Sequence, residues 1–502
     1  MRNAGTAMAG KILAIIFGYV TRIVFTHVLA TELLGLNGLL QSILGSLGMN
    51  ELGVTTAFVF SMYKPVAEHD EEKQLALIRQ YKRIYYITGL VIGVMGALLY
   101  PYFQYLVSAQ QLNVENPLLI YGIFLITSML SYVHAYYGVV FIAYQENYIN
   151  EIISSIVYII SNTMQILVLF LTRNFILYTA VYLVCTILLN VFTEGLAKKR
   201  YPYLKRKAQN QISAGEKKEL NKNIMAMLMH KVGNTLINNI DNLVITSMVG
   251  FAATGIYSIY NLIIGSVRQI LQNGITGAAG SVGNLGVVED RNKVLPVFEK
   301  VLFVTCWLFG FAAILMYWVL NPFVNLSFGD GYVFDGSIVA VLCMNFYLIG
   351  VRQATIIFRD SLGLFRKDRY KTIAESLINL IVSILLAKYL GIIGVFIGTT
   401  ISYLMVSIWI EPLILYRDYF HCPTGMYFRK MLLYSFGLLA GFAVTAVLMK
   451  LPVNSLFLRM LYAGIMTTLA VNGVMVLFFR KSGEYEYIRE SVMKIVGKVV
   501  RR

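Results

Sequence analysis

The sequence predicts an all-α polytopic membrane protein of about 14 transmembrane helices, with twelve to fourteen defensible, arranged as two six-helix lobes related by a parallel repeat plus two C-terminal helices. Three observations predict it. Hydrophobic residues make up 58% of the 502-residue chain and charged residues only 14%, with a mean hydropathy of +0.67, against roughly 25% charge in ordinary soluble domains. Apolar runs of about 20 residues, the length that crosses a ~30 Å bilayer core as a helix, recur along the whole chain. The 42 Lys and Arg residues, which outnumber 26 Asp and Glu for a net charge of +16, collect in the short gaps between those runs. That distribution is membrane topology and not a nucleic-acid surface.

Taken in order, the runs cover 7–30, 34–62, 84–107, 117–142, 151–172, 174–194, 224–250, 255–282, 294–320, 337–358, 371–388, 391–412, 430–450 and 455–479. They are continuous and about twice the ~10-residue alternating segments of a membrane β-barrel, which excludes that fold. The first run lacks a small-residue cleavage site after a short apolar core, so it is expected to stay as a span. With the N-terminus inside, one inner loop carries Lys198, Lys199, Arg200, Lys205, Arg206 and Lys207, and the basic tail Arg480–Arg502 is also inside. Only Arg173, Lys388, Lys450 and Arg459 are left for outer loops, so both termini are expected to be cytoplasmic.

A displacement of 220 residues lays Ala30–Ile43 over Gly250–Ile263, with Gly35 over Gly255 and Gln41 over Asn261 in register, and puts Asp70 over Asp290 and Lys73 over Lys293. The repeats start an even number of spans apart, so both insert in the same sense and are related by an axis along the membrane normal. The expected organisation is an N-lobe at 1–196, a basic inter-lobe loop at 197–223, a C-lobe at 224–412, two further spans at 413–479 and a basic tail at 480–502.

Ionisable groups are costly inside a bilayer and usually face a cavity or a partner. In the seventh span His230, Asn234, Asn238 and Asp241 fall within ~80° of one helix face. In the eighth, Tyr257, Asn261, Arg268 and Gln272 form a second stripe, with Arg268 ~20 Å in from the outer end. The second span carries Asn37 and Gln41 at the matching places and adds Glu51; the first carries Arg22, which the repeat sets over Asn242, beside Asp241. His134 lies among Ser131, Tyr132, Tyr136 and Tyr137 in the fourth span, and Asn345, Arg352 and Arg359 are spaced by seven in the tenth. Each residue alone has a plain structural account: snorkelling, helix packing, an Asp241–Arg22 ion pair, or tyrosine belts at the interface. Together the stripes on spans one, two, seven and eight predict a hydrated cavity with an excess of positive charge. Arginine offers planar, bidentate donors to phosphate oxygens, so such a cavity suits an anionic cargo better than a cationic drug.

Enzymatic chemistry is not expected. The four cysteines form no C-x-x-C pair, no phosphate-binding G-x-x-x-x-G-K-[ST] occurs, and no H-E-x-x-H or other paired metal-ligand spacing is present. The longest outer loop, near Asn321–Gly336, offers only Asp330 and Asp335. No metal or organic cofactor is expected. If transport is coupled to H+ or Na+, the candidates are Asp241, His230 and Glu51.

The stretch Gly35–Asp70, with NNIDNLVITSMVGFAATGIYSIYNLI at 238–263 and FRKDRYKTIAESLINLIVSILLAKYLGIIGVFIGT at 365–399, resembles the polysaccharide repeat-unit flippases of the multidrug/oligosaccharidyl-lipid/polysaccharide exporter superfamily, notably the capsule-type members of Gram-positive bacteria. The resemblance implies two six-helix lobes and two extra helices in a bacterial plasma membrane. It implies an undecaprenyl-diphosphate-linked oligosaccharide as cargo, moved from inner to outer leaflet, with other polysaccharide-assembly proteins as partners and no nucleic acid. It also implies cavity-lining roles for Arg22 and Arg268. With the stripes above, the expected cargo-binding set is Arg22, Arg268, Arg352, Gln41, Asn234, Asn238, Asn261, Tyr257 and His134. A peptidoglycan-precursor flippase, a cation-coupled drug antiporter of the same fold, and a non-transporting assembly scaffold remain as alternatives.

Overall fold

The computed structural model describes residues 2–45, 54–110, 114–133, 135–206, 240–276, 291–362, 371–451 and 455–487, with a few single positions besides, and the regular structure among them is helical throughout. The helices are α1 Arg2–Val28, α2 Thr31–Leu40 with a π turn at Gln41–Gly45, α3 Val54–Ala67, α4 Glu71–Ala109, α5 Pro117–Leu130, α6 Tyr136–Ala143, α7 Asn147–Thr172 and α8 Phe175–Arg200. They continue with α9 (240–248), α10 Phe251–Thr276, α11 Arg291–Phe328, α12 Gly336–Ser361, α13 Lys371–Leu390, α14 (392–420), α15 Gly425–Leu448 and α16 Leu456–Phe479. Nine of the described helices are long and apolar enough to cross a membrane, and Leu13–Val28 and Pro117–Leu130 are shorter apolar helices. Large apolar side chains such as Leu98, Leu171, Phe436 and Leu469 stand exposed on these helices. That is the expected surface of helices solvated by lipid, where the backbone polar groups are met within the helix itself.

The chain packs as two compact units, Met1–Ser258 and Ile259–Arg502. The boundary falls inside α10, so α9 and the first two turns of α10 pack with the N-terminal helices.

In the first unit α1 lies along α7, and α7 along α8. Tyr81, Tyr85, Tyr132, Tyr136, Phe58 and Phe141 form a buried aromatic core. The rings of Tyr132 and Tyr136 are thus occupied in packing, each 1% exposed. The fourth span is not one helix. α5 ends at Leu130 and α6 begins at Tyr136, and the Leu130 carbonyl at the break accepts a bond from Asn190 Nδ2 at 2.7 Å. Ser128 Oγ, two residues earlier, donates to Leu44 O in the π turn after α2 at 2.5 Å. Irregular backbone at membrane depth is tolerated where protein groups replace the missing partners.

At the end of the unit where α4 starts and α8 finishes, Gln74 is fully buried. Its Oε1 accepts from Tyr144 OH at 3.0 Å and Tyr203 OH at 2.5 Å. Beside it Glu146, just before α7, accepts from Arg200 Nε at 2.8 Å and Tyr201 OH at 2.6 Å.

In the second unit α11 packs on α12, α15 and α16, and α13 pairs with α14 along their length. Two π turns, Tyr403–Ser407 and Tyr416–Phe420, and Pro412 interrupt the ladder of α14. Such bulges reorient the side chains that follow them.

The Arg200 and Tyr201 hydrogen bonds hold the Glu146 carboxyl below its ordinary range, outweighing the opposing effect of partial burial. A carboxyl whose folded pKa is depressed contributes stability above its unfolded pKa and loses it as pH falls through the folded value. Glu146→Gln is therefore expected to cost about 0.2–1 kcal/mol near neutrality, since the pair is partly exposed. The gap to wild type should narrow as pH falls through the depressed Glu146 titration, below the ordinary carboxylate range; thermal unfolding followed from neutral into acidic pH checks it.

Candidate functional site

The first two turns of α2 and α10 meet backbone to backbone. A Cβ on Gly35 would stand 1.8 Å from Phe251 O, and one on Gly255 would stand 2.5 Å from Thr31 O and 3.0 Å from Gly35 N. Only hydrogen fits at either position. These are the two residues that the internal repeat superposes. Each glycine faces the other helix at matching places, Phe251 O for Gly35 and Thr31 O for Gly255, and Thr31 and Phe251 are themselves superposed by the same displacement.

Two polar arms close around that crossing. From α1, Arg22 Nη1 donates to Ser258 O at 2.7 Å and to Ser258 Oγ at 2.8 Å on α10. From α9, Asn242, the repeat mate of Arg22, donates through Nδ2 to Ser42 Oγ at 2.5 Å on the turn after α2. The two serines are held alike: Ser258 Oγ donates to Gly255 O at 2.6 Å and Ser42 Oγ to Gly38 O at 2.8 Å. Nearby, Gln110 at the end of α4 donates to Thr246 O at 2.6 Å and accepts from Phe251 N at 3.0 Å. Thr246 and Thr254 share a hydroxyl bond of 2.8 Å. The two arms start from superposed positions but differ in target and in charge: the displacement sets Ser258 over Gly38 and Ser42 over Leu262, and one arm ends in a guanidinium and the other in an amide.

Among the described residues no carboxylate pairs with Arg22, whose bonds go to Ser258 alone; the Asp241–Arg22 ion pair does not form. Asp241, in the first turn of α9, is half-buried and has interactions of its own. Asn37 Oδ1 and Asn242 Oδ1 are buried without a donor. Gln41 is exposed at the start of the π turn, Tyr257 is buried in α10, and Asn261 is exposed one turn further on. Arg268, on the part of α10 in the second unit, is half-buried and has no ion-pair or hydrogen-bond partner among the described residues. Glu51, His134, His230, Asn234 and Asn238 lie outside the described residues.

Arg352 has a different setting. On α12 it makes a two-point contact with Glu411 of α14, Nε to Oε2 at 3.1 Å and Nη2 to Oε1 at 2.8 Å, and reaches Glu375 of α13 at 3.5 Å. Lys371 Nζ also donates to Glu411, Ser407 Oγ donates to Glu375, and the guanidinium lies over the Tyr403 ring at 5.2 Å. Glu411 is fully buried. The cluster balances two cations with two carboxylates, so Arg352 brings no net charge to its surroundings. The spacing of polar residues along α12 pointed to Arg352 but not to its partners. Glu411 sits at the edge of an apolar run and Glu375 and Lys371 at the start of another, and their meeting depends on how three helices pack. The other α12 amide, Asn345, is likewise taken up, donating to Phe396 O at 2.9 Å.

This layout, long apolar helices with local interruptions and polar groups bonded from helix to helix, is that of a polytopic helical membrane fold. The sequence profile of the polysaccharide biosynthesis protein family matches residues 1–282. The structure is similar to a lipid II flippase, MurJ, in an inward closed conformation, with a TM-score of 0.71 over 95% of this chain and 99% of that one at 14% identity. It is also similar to an inward-facing multidrug resistance MATE family transporter of the MOP superfamily, with a TM-score of 0.63, 13% identity and coverage of 79% and 92%. A variant of the Vibrio cholerae MATE transporter VcmN gives 0.55, 12% identity and coverage of 82% and 95%. No curated protein sequence matches the chain significantly. The chain belongs to the polysaccharide biosynthesis protein family, and its fold is that of the MOP superfamily transporters.

Gly35→Ala is expected to destabilise the protein by about 1–3 kcal/mol, the usual cost of overpacking, because its Cβ has a carbonyl in its place. Gly38→Ala on the same helix, where the nearest atom is Ser258 Cβ at 3.4 Å, should be close to neutral. Thermal unfolding of the two purified variants makes the comparison. In the same assay Glu411→Gln should cost about 3–5 kcal/mol, because it leaves buried cations short of a carboxylate; an unchanged midpoint would show that the cluster is not a unit.

Proposed function

We propose that the protein is a flippase that carries an undecaprenyl-diphosphate-linked oligosaccharide repeat unit from the inner to the outer leaflet of a bacterial plasma membrane, for capsule or exopolysaccharide synthesis. The observation that carries this reading is the contrast among three membrane-embedded arginines. Arg352 is neutralised by Glu411 and Glu375, whereas Arg22 and Arg268 have no carboxylate partner among the described residues. An uncompensated guanidinium in low dielectric is expensive, and a diphosphate that supplies fork-shaped, bidentate acceptors relieves that cost. Arg22 and Arg268 hold the diphosphate head in this reading. Gln41, Asn261, Tyr257 and, outside the described residues, Asn234, Asn238 and His134 contact sugars, while Arg352 serves to fasten α12, α13 and α14 together. The prenyl tail stays in lipid.

Arg22 also links binding to movement. In the described arrangement it closes on Ser258, so an arriving phosphate competes with Ser258 for the same donors, and cargo has different affinities for the closed and open arrangements. A ligand shifts a conformational equilibrium only through such a difference. The unmet acceptors on Asn37 and Asn242 cost about 1–3 kcal/mol each, which keeps the closed crossing from being too stable to open. Asp241, with His230 and Glu51, is the place for coupling to H+ or Na+. Both termini are cytoplasmic in this topology. The fold similarity to a lipid II flippase favours a peptidoglycan precursor as the second reading. A cationic drug fits the unpaired arginines poorly.

The test is outward delivery of undecaprenyl-diphosphate oligosaccharide in proteoliposomes at equal protein levels. Wild type should deliver the lipid, while Arg22→Ala and Arg268→Ala should fall by at least about ten-fold, the effect of losing ~1.4 kcal/mol of a charge-assisted contact. Variants as active as wild type would remove the two arginines from the cargo site. Delivery of lipid II in place of the oligosaccharide would establish the second reading.

A further inference from the structure

A cavity of about 300 Å³ opens in the second unit where the end of α11, the turn before α12 and the start of α16 converge, and Tyr317, Trp318, Asn321, Asn325, Leu456 and Arg459 are on its wall. Its volume is at the lower end of the about 300–1,000 Å³ range of small-molecule sites. The wall is built firmly. Asn321 Oδ1 accepts from Tyr260 OH at 2.6 Å and its Nδ2 donates to Phe334 O at 2.8 Å, while Phe334 N donates back to Tyr260 OH at 3.0 Å. Asn325 donates to Asp330. Tyr317 and Trp318 are 5.0 Å apart and both pack on Phe442, at 5.5 and 6.0 Å.

Two polar side-chain features of this wall have no partner among the described residues. The Arg459 guanidinium is exposed and makes no ion pair or hydrogen bond there. Trp318 Nε1 is buried without an acceptor. Buried unmet groups are rare enough in native structures to call for a reason.

We propose that this pocket binds a saccharide residue of about hexose size, at a site separate from the arginines on α1 and α10. Aromatic walls offer a flat apolar face for the C–H side of a sugar ring. Amide and guanidinium groups on the wall, with the Asp330 carboxylate held by Asn325, match hydroxyls, which donate and accept at once. A phosphate head is the poorer fit, because Asn325 on this wall holds the Asp330 carboxylate, and Arg459 is the single cation among the described residues of the wall. The proposal does not rest on flipping through Arg22 and Arg268, and a protein inactive in the proteoliposome assay could still bind sugar here. The saccharide could arrive free or as part of a glycan or glycolipid, and the ring chemistry recognised is the same.

The test is saturation-transfer NMR on the full chain in nanodiscs, with separate arms for methyl hexosides, an N-acetylhexosamine, a hexuronate, a short oligosaccharide, inorganic phosphate and dihexanoylphosphatidylglycerol. At least one saccharide should bind saturably, and binding should weaken at least ten-fold in both Arg459→Ala and Asn325→Leu, with Arg417→Gln unchanged as a control for an exposed arginine elsewhere. Arg459 is exposed and unpartnered, so its variant tests the site without threatening the fold. Stronger binding of the oligosaccharide than of the methyl hexosides would identify a glycan chain as the source. The proposal is overturned if no saccharide binds, if both pocket variants bind as wild type does, or if phosphate or the lipid displaces the sugar.

Discussion

In hydrocarbon there is no water to complete a hydrogen bond, and every polar group of a membrane-embedded chain must find its partner in the protein or go without. The organisation of this structure follows from that constraint. Where the fourth span breaks, Asn190 takes the Leu130 carbonyl; where α2 loosens into a π turn, Ser128 takes Leu44 O. Where Arg352 enters the bilayer, two glutamates from two other helices meet it. Against this background of satisfied groups, the exceptions identify themselves. Arg22 bonds only to a neutral serine, Arg268 has no partner among the described residues, and two asparagine oxygens near the α2–α10 crossing are unmet.

The crossing also shows how two similar segments come to differ. Arg22 and Asn242 hold positions that the 220-residue displacement superposes, and each reaches a serine near the Gly35–Gly255 contact, yet the two serines are not superposed and only one of the two arms carries charge. The second unit solves a different problem with the same vocabulary: a neutral, internally paired cluster ties α12, α13 and α14 and leaves no charge for a ligand.

The span order was legible in the sequence because a helix-length apolar run is a strong local signal that needs no tertiary knowledge. The register of Gly35 with Gly255 was legible too, from the 220-residue displacement, but their contact was not, since a superposition of two segments does not say that they touch. The interruption between α5 and α6 was missed because Leu130 to Tyr136, although it holds Ser131 and His134, sits within a long apolar run, and the amide that meets the Leu130 carbonyl comes from α8, at Asn190. Tyr132 and Tyr136 read as part of a polar stripe because tyrosine is ambiguous on a helical wheel; packing against Tyr85 decides the matter. Glu411 carried a signal that hydropathy averaging hides, an acid between Ile410 and Pro412 in an otherwise apolar run. The aromatic pocket beside Arg459 brings α11 and α16 together across more than a hundred residues of chain, a distance over which no spacing rule applies.

The contact of Gly35 with Gly255 has an evolutionary consequence. Elsewhere the two copies of the duplicated segment can diverge independently, since each meets a different environment. Here each copy is the environment of the other, and a side chain gained in one is felt at the same position of its twin. The two codons therefore behave as a single heritable character, with drift in either one penalised through both, and this point of the chain should retain the imprint of the undivided ancestor after the surrounding sequence has lost it.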